Sequence, residues 1–289
     1  MRRMLGFYDA APKLQSSEQV LGAYKSFLVA RNGEGFSARE QKMHEVFDAT
    51  RAPTARSIDG THFNQVYLGA PVTGMSSDEL ALLAFVKMNA GEAYGVECVA
   101  KAREQEVEKP GVASDVEKLI THEEMFHTRI LLGAAGHFDG GDGQRLTVRG
   151  AWTPSVMVRT LIGALVHAPR SLFHPVLLGA EIAGVFAFNW MLERLSSLFP
   201  EAPAVRESME QRLHEVLVDE VGHIAFNRVL VGAPGRAVAR SIASQVVWAQ
   251  QLTSPELKAL GFDSSVLSRM STFDLSSLPA EVQRRAFFA

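Results

Sequence analysis

Hydrophobic positions recur along this chain at intervals of three and four, the period of a helix rather than of a strand. Val20, Tyr24, Phe27 and Leu28 predict an amphipathic helix over 15–31. A second, short helix is expected over 38–48. Residues 50–76 carry Pro53, Gly60, Gly69, Pro71 and Gly74 without strand-like alternation, and read as a long connection. Four long helices follow. The first opens with a capping box, Ser76-x-x-Glu79, and runs to about 108, where Pro110 and Gly111 stop it. The second opens with another capping box, Ser114-x-x-Glu117, and ends between Gly133 and Gly136. A glycine-rich crossover occupies 137–150, and Thr153-Pro154 opens a helix that ends before Pro169. The third long helix begins around Pro175 and ends before Pro200. The fourth runs from about Pro203 to Leu230, followed by a helix over about 235–252 and a tail with short helical pieces. The expected architecture is all-α, in a single domain over 1–289 with its core at about 77–232.

The apolar stripes of these helices are interrupted by ionisable residues. In the second, Val116, Ile120, Glu124, His127 and Leu131 step by 4, 4, 3 and 4. In the fourth, Met209, Leu213, Val216, Glu220, His223 and Asn227 step by 4, 3, 4, 3 and 4. Both contain Glu-x-x-His, and residues three apart share a helix face. The first long helix carries Glu92 on its stripe with Phe85, Met88, Val96 and Val99; the third carries Glu181 with Leu177, Val185, Phe188 and Leu192. Glu92 and Glu181 sit in matching contexts, small-small-Glu-x-x-Gly, which favours Glu92 over Glu97. From Glu92 to Glu124 is 32 residues and from Glu181 to Glu220 is 39, each fitting a helix, a turn and an antiparallel partner.

Four carboxylates on apolar stripes cost several kcal/mol each unless paired or bound to metal. Two divalent cations would balance them, with both imidazoles neutral. Mixed carboxylate and imidazole donors suit iron or manganese rather than a thiolate-seeking ion. A solvated helix face is the ordinary reading of one Glu-x-x-His; two copies, each preceded by a glutamate on its own stripe, point to a dinuclear site.

Composition narrows the picture further. With 47% hydrophobic residues, the chain can build a substantial core. A net charge of −3 and a pI near 6.3 give no basic surface for nucleic acid. The single cysteine, Cys98, leaves no intramolecular disulfide and fits a reducing cytoplasm. Residues 172–192 are long and apolar enough for a bilayer, but Pro175 and the central Glu181 favour a buried helix over a membrane span.

The paired motif resembles the ferritin-like di-iron carboxylate superfamily, in its oxygenase and oxidase branch, over 77–232. That resemblance implies a ferritin-like four-helix bundle with additional N- and C-terminal helices. It implies Glu92, Glu124, His127, Glu181, Glu220 and His223 as metal ligands, with Glu124 and Glu220 as bridges. Glu123 and Asp219 are implied as partners orienting His223 and His127 across the bundle; a solvent-facing acid is the competing reading for Glu123. Two iron ions (or manganese), O2 as co-substrate, a small organic substrate and an external electron donor, protein or reductant, follow as expectations, with a homodimer left open. The p-aminobenzoate N-oxygenases are similar in size but add a histidine one turn before the second motif, where this chain has Val216. His214 lies elsewhere on that helix, and His174 is two turns before Glu181.

Within that reading, catalysis rests on Glu92, Glu124, Glu181 and Glu220 with their metals, as an O2-dependent di-iron oxidoreductase of monooxygenase type (hydroxylation, N-oxygenation or desaturation). Gly95 and Gly184, one turn past two ligands, leave either room beside the metals or close helix contacts. Phe85, Tyr94, Phe126, Phe186, Phe188 and Trp190 are candidates for an apolar pocket, with plain core the alternative. Ferroxidase or iron-handling activity is the second reading, disfavoured by the long flanking segments. A radical-generating subunit is disfavoured because Leu131 stands where that family has its tyrosine.

Overall fold

A computed structural model of the chain describes residues 6–9, 16–48, 56–107, 110–148, 156–200 and 202–288; within its helices the side chains of a few positions, Glu92 among them, lie outside the description. The described residues are helical throughout, with isolated β-bridges at Ser57, Asp139 and Arg145 but no strands. Helix α1 (Ser17–Asn32) starts at a full capping box, in which the Ser16 amide donates to Gln19 and the Gln19 amide to the Ser16 hydroxyl. The short α2 (Ser37–Lys42) follows through the left-handed Phe36 and continues as a wider turn to Phe47.

The expected connection over 50–76 contains a helix, α3 (Gly60–Tyr67). Asp59 caps it by accepting from the His62 amide, and the glycines that suggested a loop stand at its first residue and just beyond its end. In α4 (Ser77–Val107) the Ser76 amide donates to the Glu79 carboxylate at 2.8 Å, one half of the expected capping box, while the Glu79 amide donates to Asp78 rather than to the Ser76 hydroxyl. Helix α5 (Val112–Gly133) begins before Ser114, so the Ser114-x-x-Glu117 pattern is not its cap. The turn is made at Gly111, whose φ of 156° lets the chain reverse after Pro110, and helical geometry starts at once.

Helix α6 (Val156–Val166) precedes α7 (Arg170–Leu192), which starts directly after Pro169 rather than at Pro175. The Thr153-Pro154 start predicted for α6 falls outside the described residues. After the single turn α8 (Leu195–Leu198) comes α9 (Pro203–Thr253), broken at Gly232 (φ 60°, ψ −167°) with Pro234 just beyond. That break separates the two helices expected at 203–230 and 235–252. The tail forms α10 (Pro255–Ala259), α11 (Ser264–Ser268) and α12 (Ala280–Arg285).

The long helices pack as two pairs, α4 with α5 and α7 with α9, and α5 joins the pairs by its contact with α9. Helix α1 covers α5 and α9, while α6 rests on α4. Leu82 and Phe85 of α4, Ile182 and Val185 of α7, and Leu213 and Leu217 of α9 are fully buried in one core that extends from Phe7 to Val282. Each such side chain contributes on the order of 1.5–3 kcal/mol of burial free energy. Helix α7 is long and apolar enough to cross a membrane, and it lies along α9 with just over half of its most apolar window buried.

Two glycines report opposite surroundings. A Cβ at Gly222 of α9 would meet the Tyr24 ring of α1 at 2.5–2.9 Å, and that ring is held by stacking against Phe27 and Phe287. Among the described residues, a Cβ at Gly184 of α7 would meet no atom within 4 Å, and one at Gly95 only the tip of Ile162 at 3.9 Å. Close helix packing therefore accounts for neither Gly95 nor Gly184. Gly184→Ala is expected to raise unfolding free energy by about 1 kcal/mol through helix propensity. Gly222→Ala is expected to lower it by about 1–3 kcal/mol through overpacking, and to lose most of that effect in a Tyr24→Ala background; urea unfolding of the four variants checks both.

Candidate metal centre

Residues three apart on a helix project together, and here two such pairs meet. Helix α5 contributes Glu124 and His127, α9 contributes Glu220 and His223, and α7 adds Glu181. One donor atom from each of Glu124, Glu181, Glu220 and His223 lies within 4.8 Å of all the others. His127 joins them through Nδ1, 3.1 Å from Glu124 Oε2 and 3.2 Å from Glu220 Oε1. His223 Nδ1 lies 2.9 Å from Glu124 Oε1 and 3.6 Å from Glu220 Oε2. Thus Glu124 and Glu220 each extend one oxygen toward one imidazole and the second oxygen toward the other. Glu92 is on α4, but its side chain lies outside the described residues. The rejected candidate, Glu97, is exposed and paired with Lys101.

The far nitrogen of each imidazole meets a buried acid from the opposite helix. His127 Nε2 is 3.1 Å from Asp219 Oδ2, and His223 Nε2 is 3.3 Å from Glu123 Oε2. Glu123 is fully buried, which removes the solvent-facing reading of it. With Nε2 donating to a carboxylate, each ring keeps its Nδ1 lone pair aimed at the cluster. His223 Nδ1 and Glu220 Oε1 are buried without a hydrogen bond, although each has a potential partner within 3.2 Å. His127 Nδ1 is bonded to Glu124 Oε2, but His223 Nδ1 and Glu220 Oε1 face the shared centre unbonded, an arrangement a cation would satisfy.

The electrostatics point the same way. Burial drives the Glu181 carboxyl well above the usual range, and the charges of Glu220 and Glu124 add to the effect. Burial also opposes charge on His127 and His223, yet Glu124 and the other acids around His127, and Tyr24 followed by Glu124 around His223, raise both well above the ordinary imidazole value. Burial likewise works against the ionised forms of Glu124 and Glu220, but the two histidines hold both below the usual carboxylate range. The protein alone thus draws protons into this cluster to supply positive charge, a role divalent metal ions would take over.

A second layer of charge surrounds the first. Asp219 accepts from Arg31 Nε at 2.7 Å and from Arg39. Glu215, one turn earlier on α9, accepts from Arg31, Arg39, Lys42 and Arg285. Glu123 accepts from Asn32 Nδ2 at 2.8 Å. Helices α1 and α2 therefore hold the acids that orient the imidazoles, and the predicted motif contained none of these cover residues. Two signals were present: the acids Glu215 and Asp219 are spaced by one helical turn, and Gly222 stands within a helix where only a close approach explains it.

The remaining candidates fall elsewhere. His214 lies 3.8 Å from Glu281, and His174 packs edge-on against Phe173. Phe85, Phe126, Phe186, Phe188 and Trp190 are core residues and, like Tyr94, line no part of the cavity beside the site. That cavity, of about 700 Å³, lies instead between α4, α6, α7 and the end of α9, and its α7 wall includes Ala180, Ala183 and Gly184, which bracket the half-buried Glu181.

No family model, curated protein or solved structure matches this chain. The chemistry of the cluster therefore rests on its own side chains.

Arg39 is 2% exposed and bonds both Asp219 and Glu215. Arg39→Met should cost about 3–5 kcal/mol, the usual result of stripping a buried ion pair of one partner. Burial alone would raise the Asp219 pKa, but Arg31 and Arg39 depress it well below the ordinary carboxylate value. The corresponding stability is fully present above about pH 4 and is lost as pH falls through the depressed value. Acid unfolding of the variant should accordingly show a smaller loss over that range than the parent protein.

Proposed function

We propose that the chain is a ferritin-like four-helix bundle whose Glu124, His127, Glu181, Glu220 and His223, with Glu92, hold two divalent metal ions, and that it is an O2-dependent oxidase or oxygenase of a small organic molecule. One observation carries the reading. Two Glu-x-x-His pairs face each other so that both motif carboxylates reach both imidazoles, and each imidazole is backed by an acid from the opposite helix. A dinuclear carboxylate site in a helical bundle is built from such pairs plus one glutamate from each of two further helices. Glu181 supplies one of these, and position 92 on α4 is assigned the other.

Two iron ions, when bound, supply electrons to O2 and an oxidant for C–H or N–H bonds. The protein's own contribution is positional. Glu124 and Glu220 have the two-ended arrangement of bridging carboxylates. Asp219 and Glu123 keep the Nε2 protons of His127 and His223, so that Nδ1 stays a donor. Glu181 is the ligand nearest open space, and its raised pKa suits a carboxyl that takes up or releases a proton as the charge of the site changes. Tyr24, Phe27 and Phe287 close the α1 side of the site, while the cavity runs along a neighbouring face of α7. Because an organic molecule fits that cavity, substrate oxidation is favoured over ferroxidase or iron-handling activity. The electron donor is an external reductant.

Loading the purified protein anaerobically with Fe(II) and removing excess should leave about two iron ions per chain by elemental analysis. Glu220→Ala should retain markedly less, and His127→Ala likewise. Unchanged iron content in both variants would sink the dinuclear assignment. O2 uptake by the loaded protein, measured with an oxygen electrode and absent from Glu220→Ala, tests the redox part separately.

A further inference from the structure

The cavity beside Glu181 has a chemical character of its own. Its described walls are mainly aliphatic side chains from α4, α6, α7 and α9, and among the described lining residues Tyr67 provides the one aromatic ring. A flat aromatic ligand would find almost nothing to stack on, whereas an alkyl chain would find apolar contact along its length. The volume of about 700 Å³ is within the range of small-molecule sites. Val156, Leu161 and Leu172 line the cavity and are also 70%, 49% and 48% exposed, so it opens to solvent through an apolar rim.

The charges lining the cavity are of one sign. Among the described lining residues Lys87 and Arg159 carry charge, and none is an acid. Lys87 is already paired with the buried Glu256 at 3.1 Å. Arg159 of α6 makes no hydrogen bond or ion pair with any described residue and is exposed on the rim side. An open apolar slot with one uncommitted guanidinium at its edge is complementary to an amphiphile with a single alkyl chain and an anionic head.

We infer that this cavity binds a long-chain aliphatic carboxylate, its head group at Arg159 and its chain along the wall formed by Ala180, Ala183 and Gly184. The cavity carries the binding site unaided; that the bound carboxylate is the substrate rests on the dinuclear reading, in which Glu181 follows the lining residue Ala180 in α7. Gly184 has a use in this arrangement. Any side chain there would occupy the space next to the ligand, since its Cβ would meet nothing but that space. On this assignment the molecule oxidised is a fatty acid or a close relative, and not an arylamine.

The test uses metal-free protein, so that it is independent of iron. Displacement of an environment-sensitive fluorescent fatty acid is measured with hexadecanoate, with hexadecanol and with p-aminobenzoate. Hexadecanoate should compete best, hexadecanol less well, and p-aminobenzoate not at all. Gly184→Phe should weaken hexadecanoate at least tenfold by filling the slot; if circular dichroism shows that variant misfolded, Ala180→Leu on the same wall takes its place. Arg159→Glu should weaken hexadecanoate about tenfold, the scale of a lost charge-assisted contact, and leave hexadecanol nearly unchanged. Iron content after reloading should stay at the parent level in Arg159→Glu. Equal binding of hexadecanoate by the parent and both variants, no binding by the parent, or preference for p-aminobenzoate would each overturn the assignment. Binding as expected with no iron uptake would uphold the ligand site and reject the dinuclear reading.

Discussion

Like charge gathered out of water is the constraint on which this structure turns. Glu124, Glu181 and Glu220 share one small volume with His127 and His223, and a buried carboxylate is tolerated only where positive charge or strong donors meet it. The surrounding architecture meets that need in layers. The imidazoles stand between the carboxylates and a second pair of acids, and those acids are met in turn by arginines, a lysine and an amide from the first helices. Charge alternates outward from the centre, and the excess that is left lies on the innermost carboxylates, Glu181 above all.

This arrangement makes α1 and α2 more than a cover. Without Arg31, Arg39 and Asn32, the acids Asp219 and Glu123 would face the protein interior unpaired, and the imidazoles would lose the partners that set their tautomer. The close fit of Tyr24 over Gly222 brings α1 near enough for these contacts. On the opposite side the structure is looser. Helix α6 rests on α4 with several apolar side chains exposed, and Gly184 faces empty space. The cluster is therefore closely backed on one side and bordered by looser packing on the other.

Sequence patterns within a helix were legible, and patterns between helices were less so. Glu-x-x-His stands out because both members replace apolar residues at the correct period, and the break near Gly232 was visible from the glycine and proline there. The partnership of Glu123 with His223, and of Asp219 with His127, followed from family resemblance and has its counterpart in the observed distances. The Arg31–Asp219 and Arg39–Glu215 contacts left no local periodic trace, because they join segments remote in sequence. Helix α3 is masked in the sequence pattern because Gly60 and Gly69, the residues that suggest a loop, stand at its two ends. The Ser114 capping pattern was a coincidence of spacing, since Gly111 had already turned the chain. The expected aromatic pocket failed for a general reason. Large rings on an inner stripe fill space, and a cavity is found where the stripe carries alanine and glycine.

The distance in sequence between Arg31 and Asp219 has a consequence for how the protein is made. The two residues are 188 positions apart, yet the orientation of His127 depends on their meeting. At ribosomal rates of roughly 5–20 residues per second, α1 leaves the ribosome roughly 10–40 seconds before its partner exists. Throughout that interval the apolar face of α1, with Tyr24 and Leu28, has no finished surface to dock on, and α5 carries Glu123 and Glu124 without the helix that compensates them. The centre can close only after α9 is complete, which makes its assembly a late and cooperative event in the life of the nascent chain.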